Sequence, residues 1–293
     1  MTPPTLNSYI SETLGKLKPV IGEGEARASL RMIFEAVKGW TPVDTAIKGG
    51  EPVSPFVVGK VDAIVQRMLN HEPLQYILGE AWWYGLRIRV TPAVLIPRPE
   101  TAELVDIIVK QYGGRNDLRV ADICTGSGCI ACALARNLPF SRITAVDNSP
   151  AAIEVARSNG ESLRVGRQTE WIEADALDAT SLPAGPFDIV VSNPPYIALD
   201  ERGSMEKNVL LYEPHSALFV PDDDPLLFYR SIAGWARTTL VDGGRIFFEI
   251  NPIYAERLAS RMREAGWDDV TLVADVHAAR RFLIARYNAD HNT

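Results

Sequence analysis

Val120-Ala121-Asp122-Ile123-Cys124-Thr125-Gly126-Ser127-Gly128-Cys129-Ile130-Ala131 joins an apolar run to an Ala-rich segment through a turn containing two glycines. The apolar run reads as a buried strand and the segment after the turn as a helix, which together make the first half of a βαβ unit. Gly126 and Gly128 let the backbone come close to a ligand at the start of that helix. A second strand, Ile143-Thr144-Ala145-Val146-Asp147, follows at crossover spacing and ends on a carboxylate. From Arg98 onward, helical and strand patterns alternate, which predicts an α/β domain with a mainly parallel sheet covered on both faces. The last two strand-like runs, residues 270–274 and 281–287, have too little between them for a crossover helix, so they are expected to form an antiparallel hairpin at the end of the sheet.

The turn also limits the ligand. Gly128 is followed by Cys129, Ile130 and Ala131 without a third glycine at the dinucleotide spacing, and no phosphate-binding lysine is present. Asp122, beside the turn, suits a cationic amino group better than a pyrophosphate. Asp147 is placed to accept hydrogen bonds from the two hydroxyls of a ribose. S-adenosylmethionine carries an ammonium, a ribose and a sulfonium methyl, so it fits these residues better than NAD or ATP.

A third strand-like run, residues 187–192, leads into Asn193-Pro194-Pro195-Tyr196. The prolines lack N–H groups and fix their own φ, so the bend offers carbonyls with no backbone donor beside them. The Asn193 side-chain oxygen and the Pro194 carbonyl can each accept one hydrogen of a planar NH2 group, and Tyr196 offers an aromatic face. Such a cradle orients an amide or aromatic amine, whose nitrogen is a poor nucleophile because its lone pair is delocalised. The plainer reading is an ordinary turn started by Asn-Pro.

The chain resembles the protein-(glutamine-N5) methyltransferases, most closely the branch acting on peptide chain release factors. The resemblance rests on Glu72-Pro73-Leu74-Gln75-Tyr76-Ile77-Leu78-Gly79, Leu95-Ile96-Pro97-Arg98-Pro99-Glu100-Thr101, the glycine turn, Asp147, the Asn-Pro-Pro-Tyr loop and Tyr212-Glu213-Pro214. It implies a class I, Rossmann-like methyltransferase fold: a seven-stranded, mostly parallel sheet with an antiparallel terminal hairpin, plus a small N-terminal helical domain. It further implies S-adenosylmethionine as methyl donor and, as acceptor, the glutamine of a Gly-Gly-Gln tripeptide in class I release factors. Carried over residue by residue, Asn193, Pro194, Pro195 and Tyr196 form the catalytic loop. Asp122, Cys124, Thr125, Gly126, Ser127, Gly128, Asp147, Asp175 and Asn193 are the expected cofactor contacts. Arg98, Glu100 and Thr101 have two readings, as lining of the pocket or as a Pro-initiated helix start in which Glu100 or Thr101 satisfies free N–H groups. The chain departs from the family pattern at Cys124 and Ala278, where glycine is frequent, at Ala176, where an aromatic is frequent, and at Asn251 and Tyr254.

Residues 1–75 show helical periodicity, with stripes at Leu6, Ile10, Leu14 and Leu17, at Ala28, Met32, Ile33, Phe34 and Val37, and at Val57, Val61, Ile64, Val65 and Met68. They are expected to form a helical substrate-docking domain. Residues 76–97, with Trp82-Trp83-Tyr84-Gly85, are expected to be a hairpin linker, and residues 98–293 the methyltransferase domain. At 293 residues and 46% hydrophobic composition, a sizeable core is expected. No run of about 18 apolar residues is present, so no membrane span is expected. Residues 1–6 carry no basic region before an apolar core, which argues against a signal peptide and for a cytoplasmic location.

Cys124, Cys129 and Cys132 have the spacing of three ligands of an iron–sulfur cluster, but no fourth cysteine exists. They are read as structural thiols, and with His71, His215, His277 and His291 scattered, no metal is expected. Asp222-Asp223-Asp224-Pro225 reads as a helix N-cap. A net charge of −7 without a Lys/Arg run gives no footprint for nucleic acid, which counts against an adenine-N6 methyltransferase using the same loop. A ribosomal-protein glutamine methyltransferase and a noncatalytic docking module stay open as alternatives.

Overall fold

The computed structural model describes residues 3–292. Met1 and Thr2, part of the stretch read for targeting, lie outside the described residues, as do Thr293 and the side chain of His291. In chain order the helices are α1 (Leu6–Ile21), α2 (Glu23–Lys38), α3 (Pro42–Ile47), α4 (Pro55–Leu69) and α5 (Leu74–Leu78). A hairpin of β1 (Glu80–Trp83) and β2 (Leu86–Arg89) follows, then α6 (Pro99–Tyr112), β3 (Arg119–Ile123), α7 (Cys129–Asn137), β4 (Arg142–Asp147), α8 (Pro150–Ser162) and β5 (Thr169–Glu173). The remainder is β6 (Phe187–Ser192), β7 (Ile197–Ala198), α9 (Lys207–Tyr212), β8 (Phe219–Val220), α10 (Leu227–Thr239), β9 (Leu240–Glu249), α11 (Ala255–Glu264), β10 (Asp268–Ala274) and β11 (Arg280–Arg286).

The chain divides into two compact units. One comprises Met1–Gly79 with Glu206–Tyr212, the other Glu80–Met205 with Glu213–Thr293. The first is helical. Its α1 starts where the Thr5 side chain accepts from the Ser8 N–H, and α4 where Ser54 accepts from Val57 N–H with Pro55 in the first turn. Leu6, Leu17, Ala26, Ile33, Phe34, Val57, Val61 and Val65 close its core. In α2 the buried stripe is Ala26, Ser29, Leu30, Ile33 and Phe34, so Ala28 and Met32 do not belong to its centre as the periodicity predicted. The Tyr212 hydroxyl donates to the Asn70 carbonyl at 3.0 Å within this unit.

The second unit is built on a sheet that, among the described residues, has seven strands in the order β10-β11-β9-β6-β3-β4-β5. β5, β4, β3, β6 and β9 run parallel, while β11 pairs antiparallel with both β9 and β10. Val120, Ala121, Ile123, Ile189, Val190 and Val191 are fully buried, as expected of central parallel strands covered on both faces. The chain runs outward from β3 through β4 to β5, then returns to place β6 on the other side of β3. That reversal opens a crevice at the carboxyl ends of β3, β4 and β6.

In the β1–β2 hairpin, Tyr84 and Gly85 both take left-handed φ, 52° and 70°, which is the two-residue turn whose twist matches paired strands. The Tyr84 hydroxyl donates to Asp106 at 2.6 Å and ties the hairpin to α6. The acidic run Asp222-Asp223-Asp224 does not cap α10. That helix begins after Leu226 without a side-chain cap, Asp224 instead pairs with Arg230 at 2.7 Å, and Asp222 accepts from the Asp200 N–H. No helix among the described residues is long and apolar enough to cross a membrane.

Cys124 and Ala278, the two positions where the family pattern favours glycine, both lie in the left-handed region, at φ 62° and 64°. A Cβ in that region costs about 1–2 kcal/mol, partly offset by the greater chain entropy that glycine loses on folding. Ala278 is exposed in the β10–β11 turn, so no packing is lost on its replacement. Ala278→Gly should therefore raise the stability measured by denaturant unfolding by about 0.5–1 kcal/mol. An unchanged or lowered midpoint contradicts this.

Candidate active site

The carboxyl ends of β3, β4 and β6 share one cavity. Of the residues expected from the sequence, its wall includes Arg98, Thr101, Cys124, Thr125, Gly126, Ser127, Asp147, Asp175, Asn193 and Pro195. Asp122, Gly128, Pro194, Tyr196 and Glu100 are not part of that wall.

The glycine turn is held from several sides. Thr125 N–H donates to the Val146 carbonyl at 2.9 Å, and Gly126 N–H donates to Asp147 Oδ2 at 2.8 Å. Gly126 takes φ 54° and faces open space, whereas Gly128 takes φ 75° and a Cβ there would lie 2.9 Å from both Ala156 and Trp171. Gly128 thus serves close packing of the turn against α8 and β5. Asn159, fully buried in α8, donates from Nδ2 to the carbonyls of Ser127 and Arg89 and accepts from the Arg89 N–H. The sequence reading missed Asn159, although a side chain with both donors and an acceptor in a mostly apolar helix face is the kind of residue that buried backbone groups require.

Asp122 departs from its expected position. Rather than facing a cationic amino group, it is fully buried behind the turn, where Oδ2 accepts from the Thr125 hydroxyl at 2.6 Å and from the Ala131 N–H at 3.1 Å. Its Oδ1 has no hydrogen-bond partner among the described residues. Asp122 braces the turn and the first turn of α7.

Asp147 is half-buried and points at the cavity. Its oxygens accept from Gly126 and Ser149 N–H groups at 2.8 and 3.0 Å and still have acceptor capacity for a ligand hydroxyl. Burial raises its carboxyl above the ordinary value, against hydrogen bonds from Gly126, Ser149 and Asn148 that pull it down. Asp175 is exposed, with Oδ1 accepting from Leu177 N–H at 2.9 Å, and Ala152, Ala176 and Phe228 supply apolar surface nearby. Arg98 is the one basic residue of the wall among the described residues, and its guanidinium is held at 2.6 Å by the buried carboxylate of Glu213. An acidic cavity whose one cation is already paired suits a cationic nucleoside and gives no counter-charge to a polyphosphate. The residues present are compatible with S-adenosylmethionine: Asp147 would hold the ribose, Asp175 with the apolar patch would face the base, and the backbone of residues 124–127 would meet the amino-acid end.

All three cysteines are free. Burial pushes the Cys129 thiol up to about 12 and raises those of Cys124 and Cys132 as well, so each is held as a thiol. No group of three or more His, Cys, Asp or Glu among the described residues is arranged to hold a metal.

Around Asn193 the side chains are linked. Asn193 Nδ2 lies 3.2 Å from Thr101 Oγ1, Thr101 Oγ1 lies 2.6 Å from Glu249 Oε2, and the Tyr196 hydroxyl lies 3.2 Å from Glu249 Oε1. Neither Glu100 nor Thr101 caps α6; Pro99 occupies its first turn, and Thr101 turns inward to Glu249. Tyr196 packs its ring on the core instead of offering it to the cavity. Glu249 was not singled out as a site residue in the sequence, yet it closes the apolar run Ile246-Phe247-Phe248 as a carboxylate that is only 1% exposed.

Asp122 gives a pH-dependent signature. Burial pushes its carboxyl up to about 7 from 3.8, in spite of the bonds from Thr125 and Ala131. The folded state then binds this proton more tightly than the unfolded chain, so the group's contribution is fully present below about pH 4 and is lost as pH rises through about 7. Asp122→Asn cannot ionise. Its stability relative to wild type should rise as pH goes from about 4 to about 7 and level off above, and parallel unfolding curves across that window contradict it.

Residues 101–212 match the methyltransferase small domain family and residues 16–79 match the PrmC N-terminal domain family. A release factor glutamine methyltransferase of Bacteroides thetaiotaomicron is 39% identical over 280 residues, covering 96% of this chain and 98% of that one. One from Streptococcus pneumoniae is 40% identical, covering 79% of this chain and 81% of its own. Among solved structures, a methyltransferase from Pyrococcus furiosus aligns with a TM-score of 0.51 at 19% identity, over 76% of this chain and 97% of that one, which supports the fold. The acidic cavity at the β3, β4 and β6 ends, the Asn-Pro-Pro-Tyr loop beside it and 39% identity over nearly the whole chain converge, and the chain belongs to the release factor glutamine methyltransferase family.

Proposed function

We propose that this enzyme transfers a methyl group from S-adenosylmethionine to the side-chain amide nitrogen, N5, of the glutamine in the Gly-Gly-Gln motif of class I peptide chain release factors. The observation that carries this reading is the Asn193 side chain: it lines the cavity, its Nδ2 is engaged by Thr101, and its Oδ1 accepts no hydrogen bond among the described residues.

A carboxamide nitrogen is planar and weakly nucleophilic, but it has two N–H groups to give. Asn193 Oδ1 accepts one. Pro194 does not itself line the wall, but its carbonyl lies between Asn193 and Pro195, which do, has no backbone N–H beside it, and is assigned the other. Held in this way, the nitrogen is kept from rotating and its π face stays free for attack. When bound, S-adenosylmethionine supplies an electrophilic methyl group on sulfur. The apolar wall formed by Val94, Leu95 and Pro97 keeps competing water from the acceptor nitrogen. Positioning accounts for most of the acceleration in this reading, since two properly oriented reactants gain several kcal/mol over free encounter. The nitrogen becomes strongly acidic as the new N–C bond forms, so one of its two protons is lost late, to bulk water as the product leaves, and no dedicated base is needed.

Several finer assignments go with it. The helical unit, which matches the PrmC N-terminal domain family, docks the body of the release factor. The reaction takes place in the cytoplasm, where translation terminates, and no direct contact with nucleic acid is part of it. Pro195 shapes the loop, and Tyr196 acts through Glu249.

Isotopic methyl transfer to purified release factor, to a release factor with the Gly-Gly-Gln glutamine replaced, to ribosomal protein and to adenine-containing DNA tests the assignment. Label should enter only the intact release factor. Asn193→Ala should lower turnover by about 10²–10³-fold, the range for loss of one well-placed polar group in an active site, with cofactor affinity nearly unchanged. Label in the glutamine-replaced factor, or equal loss of turnover and cofactor binding in Asn193→Ala, would overturn it.

A further inference from the structure

We propose that Thr101 is a positioning residue for Asn193, and that Glu249 acts through it: together they fix which end of the Asn193 carboxamide faces the acceptor. This rests on the cradle reading given above and deepens it by naming what sets the cradle's polarity.

The two ends of an asparagine amide are nearly the same size, so shape alone does not choose between oxygen and NH2. The choice follows from hydrogen-bond arithmetic. Thr101 Oγ1 has one proton. Glu249 Oε2, 2.6 Å away, is an acceptor at the length typical of a hydroxyl bonded to a carboxylate. With its proton committed there, Thr101 can only accept from its other neighbour, 3.2 Å away, which must then be Nδ2 of Asn193. Asn193 Oδ1 is left as the acceptor end. The opposite orientation would set the NH2 of Asn193 against the NH2 of a substrate, two donors facing each other.

Glu249 is itself well held. Its Oε1 receives the Tyr196 hydroxyl at 3.2 Å, and its backbone carbonyl receives the Tyr229 hydroxyl at 3.2 Å. Thr101 and Glu249 are 2% and 1% exposed, so water does not compete for either bond. Burial raises the Glu249 carboxyl above its ordinary value, while Thr101, Tyr196 and the guanidinium of Arg281 favour its ionised form and Glu100 opposes it. The geometry, two hydroxyls converging on the two oxygens of Glu249 and the Asn193 amide on Thr101, fits an ionised carboxylate and donors that run in one direction, from Tyr196 and Thr101 into Glu249 and from Asn193 into Thr101.

Thr101→Val keeps the shape and removes the hydroxyl, whereas Thr101→Ser keeps the hydroxyl. Each full-length variant is assayed for kcat and KM with release factor, for S-adenosylmethionine affinity, and for the side-chain amide proton signals of Asn193 in an 15N-resolved spectrum, assigned by their disappearance in Asn193→Asp. For Thr101→Val, kcat should fall at least about tenfold, cofactor affinity should stay within about threefold, and the Asn193 amide protons should shift and exchange faster with water. Thr101→Ser should restore all three. Wild-type kcat in Thr101→Val, a loss in Thr101→Ser as deep as in Thr101→Val, cofactor affinity falling in step with kcat, or unmoved amide protons would each overturn the relay. The amide-proton measurement needs no substrate. A wild-type enzyme inactive on release factor would sink the substrate assignment while the spectrum still decides the relay.

Discussion

The Thr101 hydroxyl has a single proton, and the buried carboxylate of Glu249 takes it at 2.6 Å. In the proposed reading, the polarity of the acceptor cradle follows from that bond. Glu249 lies at the end of β9 and Thr101 in the first turn of α6, so their bond ties an outer helix to the carboxyl edge of the sheet next to β6. Asn193, the residue directly after β6, is then reached from the side by an acceptor and keeps its own oxygen for the cavity. A buried charge is costly unless hydrogen-bonded. Here the two bonds to Glu249 offset that cost and also give the loop a direction.

The cofactor side of the cavity uses a different device. Backbone N–H groups of Gly126 and Ser149 hold Asp147 in place, and the buried Asn159 clamps the turn to the β1–β2 hairpin. Arg98 is paired with Glu213, while the Arg98 carbonyl accepts from the Trp83 indole at 2.7 Å. The wall that remains is acidic and partly apolar. It suits a ligand that carries positive charge on sulfur and nitrogen together with a flat base.

The sequence was most informative where local pattern and fold coincide. The apolar runs at 120–123 and 187–192 are β3 and β6, the Asp147 carboxylate closes β4, and the last two runs pair as an antiparallel hairpin. Periodicity located the N-terminal helices and, in α2, the buried Ile33 and Phe34, but it missed Ala26, Leu30 and the polar Ser29 on the same face. Long-range partners were not legible. Thr101 and Glu249 are separated by 148 residues, Arg98 and Glu213 by 115, and Asn159 and Arg89 by 70. No local rule relates such pairs. Asp122 shows the same limit: its type and place in the turn were plain, but which way it points depends on α7 packing over β3 and on the Ala131 N–H that needs an acceptor.

The central claim is that Asn193 presents its oxygen to a carboxamide nitrogen. A crystal structure of the enzyme with S-adenosylhomocysteine and a release factor fragment carrying Gly-Gly-Gln tests it most directly. The account predicts the glutamine Nε2 within about 2.7–3.2 Å of both Asn193 Oδ1 and the Pro194 carbonyl, with Asn193 Nδ2 still on Thr101. A glutamine oxygen facing Asn193, or a side chain bound away from the loop, would contradict it.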